Sequence, residues 1–260
     1  MKHPGSTIIG AAALALAGLA SGAAAEPCRT ETFEETAYTV CSFDLPATDM
    51  RIVWQDAAGK SYGAFADLAT ALAEKGETLA FAMNGGMYEE DFSPVGLLTI
   101  DGKELAPANR TTLPAEIQPV PNFYKKPNGI FYLGEGAAGV METGRYVEEK
   151  PAATYATQSG PLLVTEGAMN PIFIPGSSDR KPRNGVGVSS PTKVHFAISD
   201  GSVNFHDFAR FFRDRLGCDD ALFLDGGSAP ALYAPALQRD DAPGHGGFGP
   251  IIAVVEPPRP

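Results

Sequence analysis

FHDFARFFRDRLGCDDALFLDGG, residues 205–227, and FADLATALAEKGETLAFAMNGG, residues 65–86, decide the reading of this chain. Phe65, Asp67, Leu68, Ala69 and Leu72 align with Phe205, Asp207, Phe208, Ala209 and Phe212, 140 positions later. In each copy apolar residues recur at i, i+3, i+4 and i+7, the stripe of an amphipathic helix. A short apolar run follows, Thr78 to Met83 in one copy and Ala221 to Leu224 in the other, the length of one buried strand. With one inserted residue, Asn84-Gly85-Gly86 then falls on Asp225-Gly226-Gly227. A polar residue followed by two glycines lets a ligand come close to the backbone. Ligands gather beyond such strand ends in sheets faced by helices. The pair reads as an internal repeat or as two merely similar helix–strand units, and on either reading the glycine turns mark a site.

Upstream of both units, Lys2, the apolar stretch Ile8 to Ala20 and Ala23-Ala24-Ala25 predict a secretory signal over residues 1–25. A membrane anchor is the competing reading. Alanine richness, the small residues at its end and the lack of a basic flank favour cleavage. Residues 26–260 then form one domain of a size that buries a substantial core. The expected location is periplasmic or secreted, with no membrane attachment after cleavage. Removing the signal leaves 19 Lys and Arg against 31 Asp and Glu. An acidic surface repels nucleic acid and anionic membranes, and no basic cluster restores either partner.

Three cysteines remain in what is predicted to be an oxidising compartment. Cys28 and Cys41 flank a segment with hairpin character, and a disulfide between them would staple the mature N-terminus. Cys218 sits among apolar neighbours and reads as a buried free thiol rather than a nucleophile. The histidines at 3, 195, 206 and 245 show no metal-ligand spacing. No metal and no cofactor is signalled.

Short strands outnumber helices along the mature chain. Strands are expected at Tyr38–Phe43, Met50–Trp54, Gly129–Leu133, Gln158–Val164, Gly185–Val188, Val194–Ile198 and Pro250–Val255, besides those of the two helix–strand units. GLLTIDGKEL, residues 96–105, carries a hairpin signal at Asp101-Gly102. Residues 106–129, rich in Pro and Asn, form a long loop of the kind that is functional or mobile. A second hairpin turn is expected at Ser199-Asp200-Gly201. The fold class is mixed α/β, in the α+β sense: a single domain with a mixed β-sheet core, few helices, and glycine-rich loops at strand ends. Gly59-Lys60-Ser61-Tyr62-Gly63 matches the string of a nucleophile elbow. Gln55 to Ala58 separate it from the preceding strand, so it reads as a simple turn.

Four loops rich in small and polar residues remain: 83–96, 157–161, 177–188 and 224–230. Turns need glycine for steric reasons alone, so composition carries the argument. Carboxylates (Glu89, Glu90, Asp91, Asp225), amides (Asn84, Gln158, Asn184) and hydroxyls (Ser159, Ser228) together suit a carbohydrate or a phosphate. Arg180, Lys181 and Arg183 stand out in an acidic chain, and a guanidinium clamps a phosphate through paired hydrogen bonds. A solvated surface loop accounts for the same three cations equally well. Asp225 at a strand mouth suits a catalytic carboxylate; an aspartate bonding its own turn is the alternative.

The ordered set MNGGMY, PVGL, NGIFY, QSGPLLV, RNGVGV, FHDFARFF and LDGGS resembles the phosphodiester glycosidase family. The likeness spans about Cys28 to Val255 and is nearest to exported bacterial members of unknown substrate. It implies an exported hydrolase that cleaves the glycosidic bond of a sugar-1-phosphodiester in glycan or envelope material. The alternative is a non-catalytic glycan- or phosphate-binding envelope protein on the same scaffold. On the hydrolase reading Asp225 serves as base or nucleophile, and Arg183 clamps the phosphate with Arg180 as its substitute. Asn84, Gly85, Gly86, Gln158, Ser159, Gly160, Asn184, Gly226, Gly227 and Ser228 then bind substrate. Glu89 or Asp91 is the expected second carboxylate.

Overall fold

The computed structural model describes Met1 and residues 26–257. The predicted signal therefore falls, apart from Met1, outside the described residues. The described residues form seventeen strands and three short α-helices. The strands are β1 Cys28–Phe33, β2 Thr36–Asp44, β3 Asp49–Val53, β4 Thr78–Asn84, β5 Leu98–Ile100, β6 Lys103–Ala106, β7 Gly129–Gly134, β8 Ala137–Glu142 and β9 Tyr155–Ser159. They continue as β10 Leu162–Thr165, β11 Ala168–Met169, β12 Arg183–Ser190, β13 Lys193–Ser199, β14 Asp220–Gly226, β15 Leu232–Ala234, β16 Arg239–Asp240 and β17 Ile251–Glu256. The helices are α1 Phe65–Ala73, α2 Thr143–Glu149 and α3 Phe205–Arg210, the last continuing as a π-turn over Phe211–Arg215.

Three sheets result, in the orders β1-β2-β13-β12-β14-β10-β11, β16-β15-β4-β17-β3 and β6-β5-β9-β7-β8. Their pairings are antiparallel, where a mixed core was expected, and the α+β class stands. Each sheet turns one face to a shared core and the other to a helix. Phe43 of β2, Phe81 of β4, Phe131 of β7 and Phe196 of β13 meet in that core, with ring centroids 4.9–6.1 Å apart. Four edge-on or tilted rings from three sheets bury far more apolar area than any single hairpin contact.

Both predicted helix–strand units form. Phe65, Leu68 and Leu72 of α1 are buried against the β4 sheet. Phe205, Phe208 and Ala209 of α3 are buried against the sheet of β12 and β14. Asn204 caps α3, its side chain accepting from the Asp207 amide at 2.8 Å.

Two sequence expectations need correction. The run 158–164 is not one strand: β9 ends at Ser159, and β10 begins at Leu162 in a different sheet. Pro161 has no N–H to give a ladder, and Gly160 is pressed against Asn128, whose Cβ would lie 2.6 Å from an added side chain. Ser199-Asp200-Gly201 is not a hairpin turn either. It leads from β13 towards α3, and the Asp200 carboxylate pairs with Arg239 and accepts from the Thr39 hydroxyl.

Cys28 and Cys41 face each other across the β1–β2 ladder and are joined by a disulfide. A closed loop of 13 residues constrains the unfolded chain by about 3 kcal/mol in the loop-entropy picture. Cys28→Ala/Cys41→Ala is therefore expected to lose about that much stability in denaturant unfolding. An unchanged midpoint would make the bridge energetically silent. Cys218 is free and buried, and burial pushes its thiol up to about 12, so it is unreactive.

Candidate active site

The C-terminal ends of β4 and β14, the two strands of the paired units, meet through a third strand, β12. Asn184 of β12 lies directly opposite Asp225 of β14. Its amide nitrogen donates to Asn84 Oδ1 at 2.6 Å, and its Oδ1 accepts from the Asp225 backbone N–H at 2.9 Å. Asn84 Oδ1 also accepts from the Ala231 N–H at 2.9 Å. Asn84 and Asn184 are fully buried. One asparagine pair thus locks three chain segments at the foot of the site, and it brings together the residues that the sequence alignment made equivalent.

Asp225 sits above that pair. Part of its surface remains accessible, yet protein surrounds its carboxyl densely enough to push the pKa up to about 7. Desolvation is the cause, and a hydrogen bond from the Gly226 N–H at 2.7 Å offsets it only partly. That bond also satisfies the turn-capping alternative. The elevated pKa distinguishes the residue from an ordinary capping aspartate, whose carboxylate stays ionised in water.

Tyr88 hangs over the same site from the first glycine loop. Burial, with the Asp225 charge as the smaller cause, raises its phenol to about 12, and it donates to the Gly247 carbonyl at 3.2 Å. At the rim, the Ser228 hydroxyl and His245 Nε2 are 3.3 Å apart. Tyr88 and His245 were not singled out from the sequence. Tyr88 lies within MNGGMY, where glycine is the stronger turn signal, and His245 has no spacing signal.

The remaining predicted residues divide. Gly86 lies close to β9, with φ +154° and room for no side chain: a Cβ would meet Thr157 Oγ1 at 3.0 Å and the Gln158 carbonyl at 3.1 Å. Gly85 packs on β17, its N–H donating to the Pro250 carbonyl at 2.6 Å. Gly226 packs against the Phe223 ring, whereas Gly227 and Ser228 are open. Ser159 is buried and donates to the Leu224 carbonyl at 2.8 Å, tying β9 to β14.

Gln158 is not placed to bind a ligand. Its Oε1 accepts from the Leu97 and Asn109 N–H groups, and its Nε2 donates to the Asn109 carbonyl and the Thr143 hydroxyl. It anchors the long 107–128 segment to the body. Gly96 exists to admit it, since a Cβ there would stand 2.3 Å from Gln158 Oε1. Gly160 is likewise enclosed, against Asn128 and the Phe123 carbonyl.

Arg183 departs most from expectation. It precedes Asn184 on β12, so its side chain leaves by the opposite face from Asn184 and Asp225. There the guanidinium stacks on Phe205 at 3.6 Å, and its Nε donates to the Val203 carbonyl at 2.8 Å. One terminal nitrogen donates to the Asp179 carbonyl at 3.1 Å. The side chain is fully buried, and desolvation lowers its pKa to about 10, which leaves it cationic. A free fork for a phosphate is therefore not presented beside Asp225. Arg180 is engaged as well, with the Asp207 carboxylate and the Ser202 carbonyl. Glu89 and Asp91 are exposed, and Asp91 closes its own turn on Ser93. Neither adds to the Asp225 shift.

Among the described residues, two buried side-chain polar atoms lack a partner: Asn84 Nδ2 and Arg183 Nη1. Each unpaired buried donor costs roughly 1–3 kcal/mol. Both belong to the residues that composition and spacing marked beforehand.

Known proteins resemble the chain in sequence and in fold. The sequence profile of the phosphodiester glycosidase family matches residues 77–251, from the residue before β4 to the first residue of β17. The uncharacterized Escherichia coli protein YigE is 32% identical over 206 residues, covering 78% of this chain and 76% of that protein. The catalytic domain of zebrafish N-acetylglucosamine-1-phosphodiester alpha-N-acetylglucosaminidase, solved in a form auto-inhibited by its pro-peptide, superposes with a TM-score of 0.58. It shares 13% identity and covers 87% of this chain and 81% of its own. A Synechocystis protein superposes with a TM-score of 0.51 at 15% identity, covering 88% of this chain and 61% of its own. At such identities the two structures share the fold with this chain.

Proposed function

The chain belongs to the phosphodiester glycosidase family, and from that premise we propose that it is an exported hydrolase of sugar-1-phosphodiesters. The observation that carries the reading is Asp225, a desolvated carboxyl with its pKa near 7 at the mouth of two glycine turns. In the reaction the bond between the anomeric carbon and the phosphate oxygen breaks. The oxygen leaves with its electron pair on a phosphomonoester, and water supplies the new oxygen on C1.

A phosphomonoester is a stable anion, so its departure needs little protonation. That fits a site with a single poised carboxylate rather than the usual flanking pair. Asp225 acts from the anomeric side as base or nucleophile. Asn84 and Asn184 fix its backbone, and the unpartnered Asn84 amide is a donor suited to a sugar hydroxyl. Ser228 and His245 supply the polar rim for the leaving phosphate. Arg183 is assigned here to holding the β12–α3 junction rather than to clamping phosphate.

The domain of the mature protein is taken as residues 26–260 after removal of residues 1–25. The Cys28–Cys41 bridge favours the periplasm or the exterior as its location. The partner is a carbohydrate or sugar phosphate. A net charge of −11 disfavours nucleic acid. The test is incubation with methyl-phosphodiesters of glucose-1-phosphate, mannose-1-phosphate and N-acetylglucosamine-1-phosphate. Equimolar release of reducing sugar and methyl phosphate supports the hydrolase. Saturable binding of these compounds with no release from any of them would favour a binding protein.

A further inference from the structure

We propose that the cleft beside Trp54 is an accessory binding site for a neutral oligosaccharide. It opens between β3, α1 and the β5–β6 hairpin, with a volume of about 530 Å3. That volume is within the range of small-molecule sites. Three aromatic residues line it: Trp54, Tyr62 and Tyr155, each only partly buried. The Trp54 indole N–H is held by the Phe92 carbonyl at 2.8 Å, and the Tyr155 phenol donates to Asp101 at 2.7 Å. The polar edges of two rings are therefore anchored by the protein. Apolar ring surface with polar edges is the surface that a sugar, with its C–H face and hydroxyl rim, complements.

Charge decides against an anionic ligand. Arg51 faces the cleft but is held by Asp49 at 2.6 Å and Glu77 at 2.8 Å, which raise its pKa and spend its charge. Asp56 and Asp101 add negative charge at the wall, and Lys75 is the remaining cation. The exposed Gln55 amide supplies both a donor and an acceptor at the rim. A polyhydroxylated, uncharged chain can hydrogen-bond to all of these groups without bringing a further charge into the cleft.

The cleft is distinct from the Asp225 site, although Phe92, which holds Trp54, lies in the same loop as Tyr88. The inference rests on the cleft's own chemistry and does not require Asp225 to be catalytic. Trp54 is the only tryptophan of the chain, so its emission reports the surroundings of one cleft residue, and the Asp225→Asn and Tyr62→Ala variants tell the two sites apart. The experiment titrates the mature protein with maltohexaose, cellohexaose and chitohexaose, following tryptophan emission and confirming by calorimetry. A saturable change with at least one of them is expected, retained in Asp225→Asn and weakened by about tenfold in Tyr62→Ala. Gln55→Ala, an exposed change that leaves the packing intact, is expected to weaken it by a smaller factor. No saturable change with any of the three by either method overturns the proposal. Binding that is lost in Asp225→Asn but intact in Tyr62→Ala and Gln55→Ala overturns it too, because the sugar would then sit at the other site.

Discussion

Asp225→Asn is expected to lower turnover of a sugar-1-phosphodiester about a thousandfold while leaving ligand affinity within a small factor. Asparagine keeps the shape of the side chain, and its oxygen still accepts from the Gly226 N–H. The asparagine pair beneath, Asn184 to Asn84 at 2.6 Å, is untouched. Only the ability to carry charge and take a proton is removed. Initial rates and a ligand titration on the same preparation separate the outcomes. A variant that turns over as fast as wild type would remove Asp225 from the chemistry.

The pH dependence gives a second, independent readout. A base or nucleophile works as the carboxylate, so kcat/KM should rise with pH and level off above about 7, the pKa of the free enzyme's group. A rate that instead falls above 7 would make Asp225 the general acid. Stability runs the other way. The native pKa of about 7 lies above the ordinary 3.8, so between these values the folded chain holds the proton more tightly than the unfolded one. The stability contributed by the neutral carboxyl is complete below 3.8 and is lost as pH rises towards 7. Above 7 the wild type carries an unpaired, desolvated charge that the asparagine variant lacks. Asp225→Asn should therefore melt at a higher temperature than wild type at pH 8, with the difference closing at pH 4. Gain of stability beside loss of turnover is the pattern of a strained functional group.

Much of the architecture was legible because short-range periodicity fixes element type. The stripes at Phe65 and Phe205 gave both helices, and the apolar runs gave β4 and β14. The polar–glycine endings placed Asn84 and Asp225 at strand mouths, and the fold then brought them to one asparagine bridge. Helix α2, Thr143–Glu149, buries only Thr143 and so carries no apolar stripe that a sequence pattern can show. What sequence did not reveal was pairing and facing. Whether Arg183 points with Asp225 or away from it depends on register, and β14 shifts by one residue between Asn184 and Gly185. A buried amide such as Gln158, saturated by Leu97, Asn109 and Thr143, has the same composition as a ligand-binding one. Only its partners distinguish the two, and these come from segments 15 to 61 positions away.

Arg183→Ala is expected to act on stability first, by about 3–5 kcal/mol. The substitution deletes a guanidinium stacked at 3.6 Å on Phe205 and leaves the Asp179 carbonyl without its donor, while the Val203 carbonyl keeps only the longer bond from the Lys181 N–H. It also opens a cavity under α3 where a fully buried side chain had been. The ion pair with Asp179 adds little to this, because the carboxylate is half exposed and 3.5 Å away. For a chain of this size the loss corresponds to a fall of about 6–20 °C in melting temperature. Arg183→Met, which refills the volume without a buried charge, should recover part of it, since the desolvation cost of the cation disappears with the cation. Activity must then be measured well below the lowered melting point. If folded Arg183→Met turns over substrate within about tenfold of wild type, the guanidinium is structural, as its burial and its partners require. If the folded variant instead loses turnover about a hundredfold or more with its stability restored, Arg183 Nη1, the buried donor left unpartnered in the fold, reaches the phosphate after all.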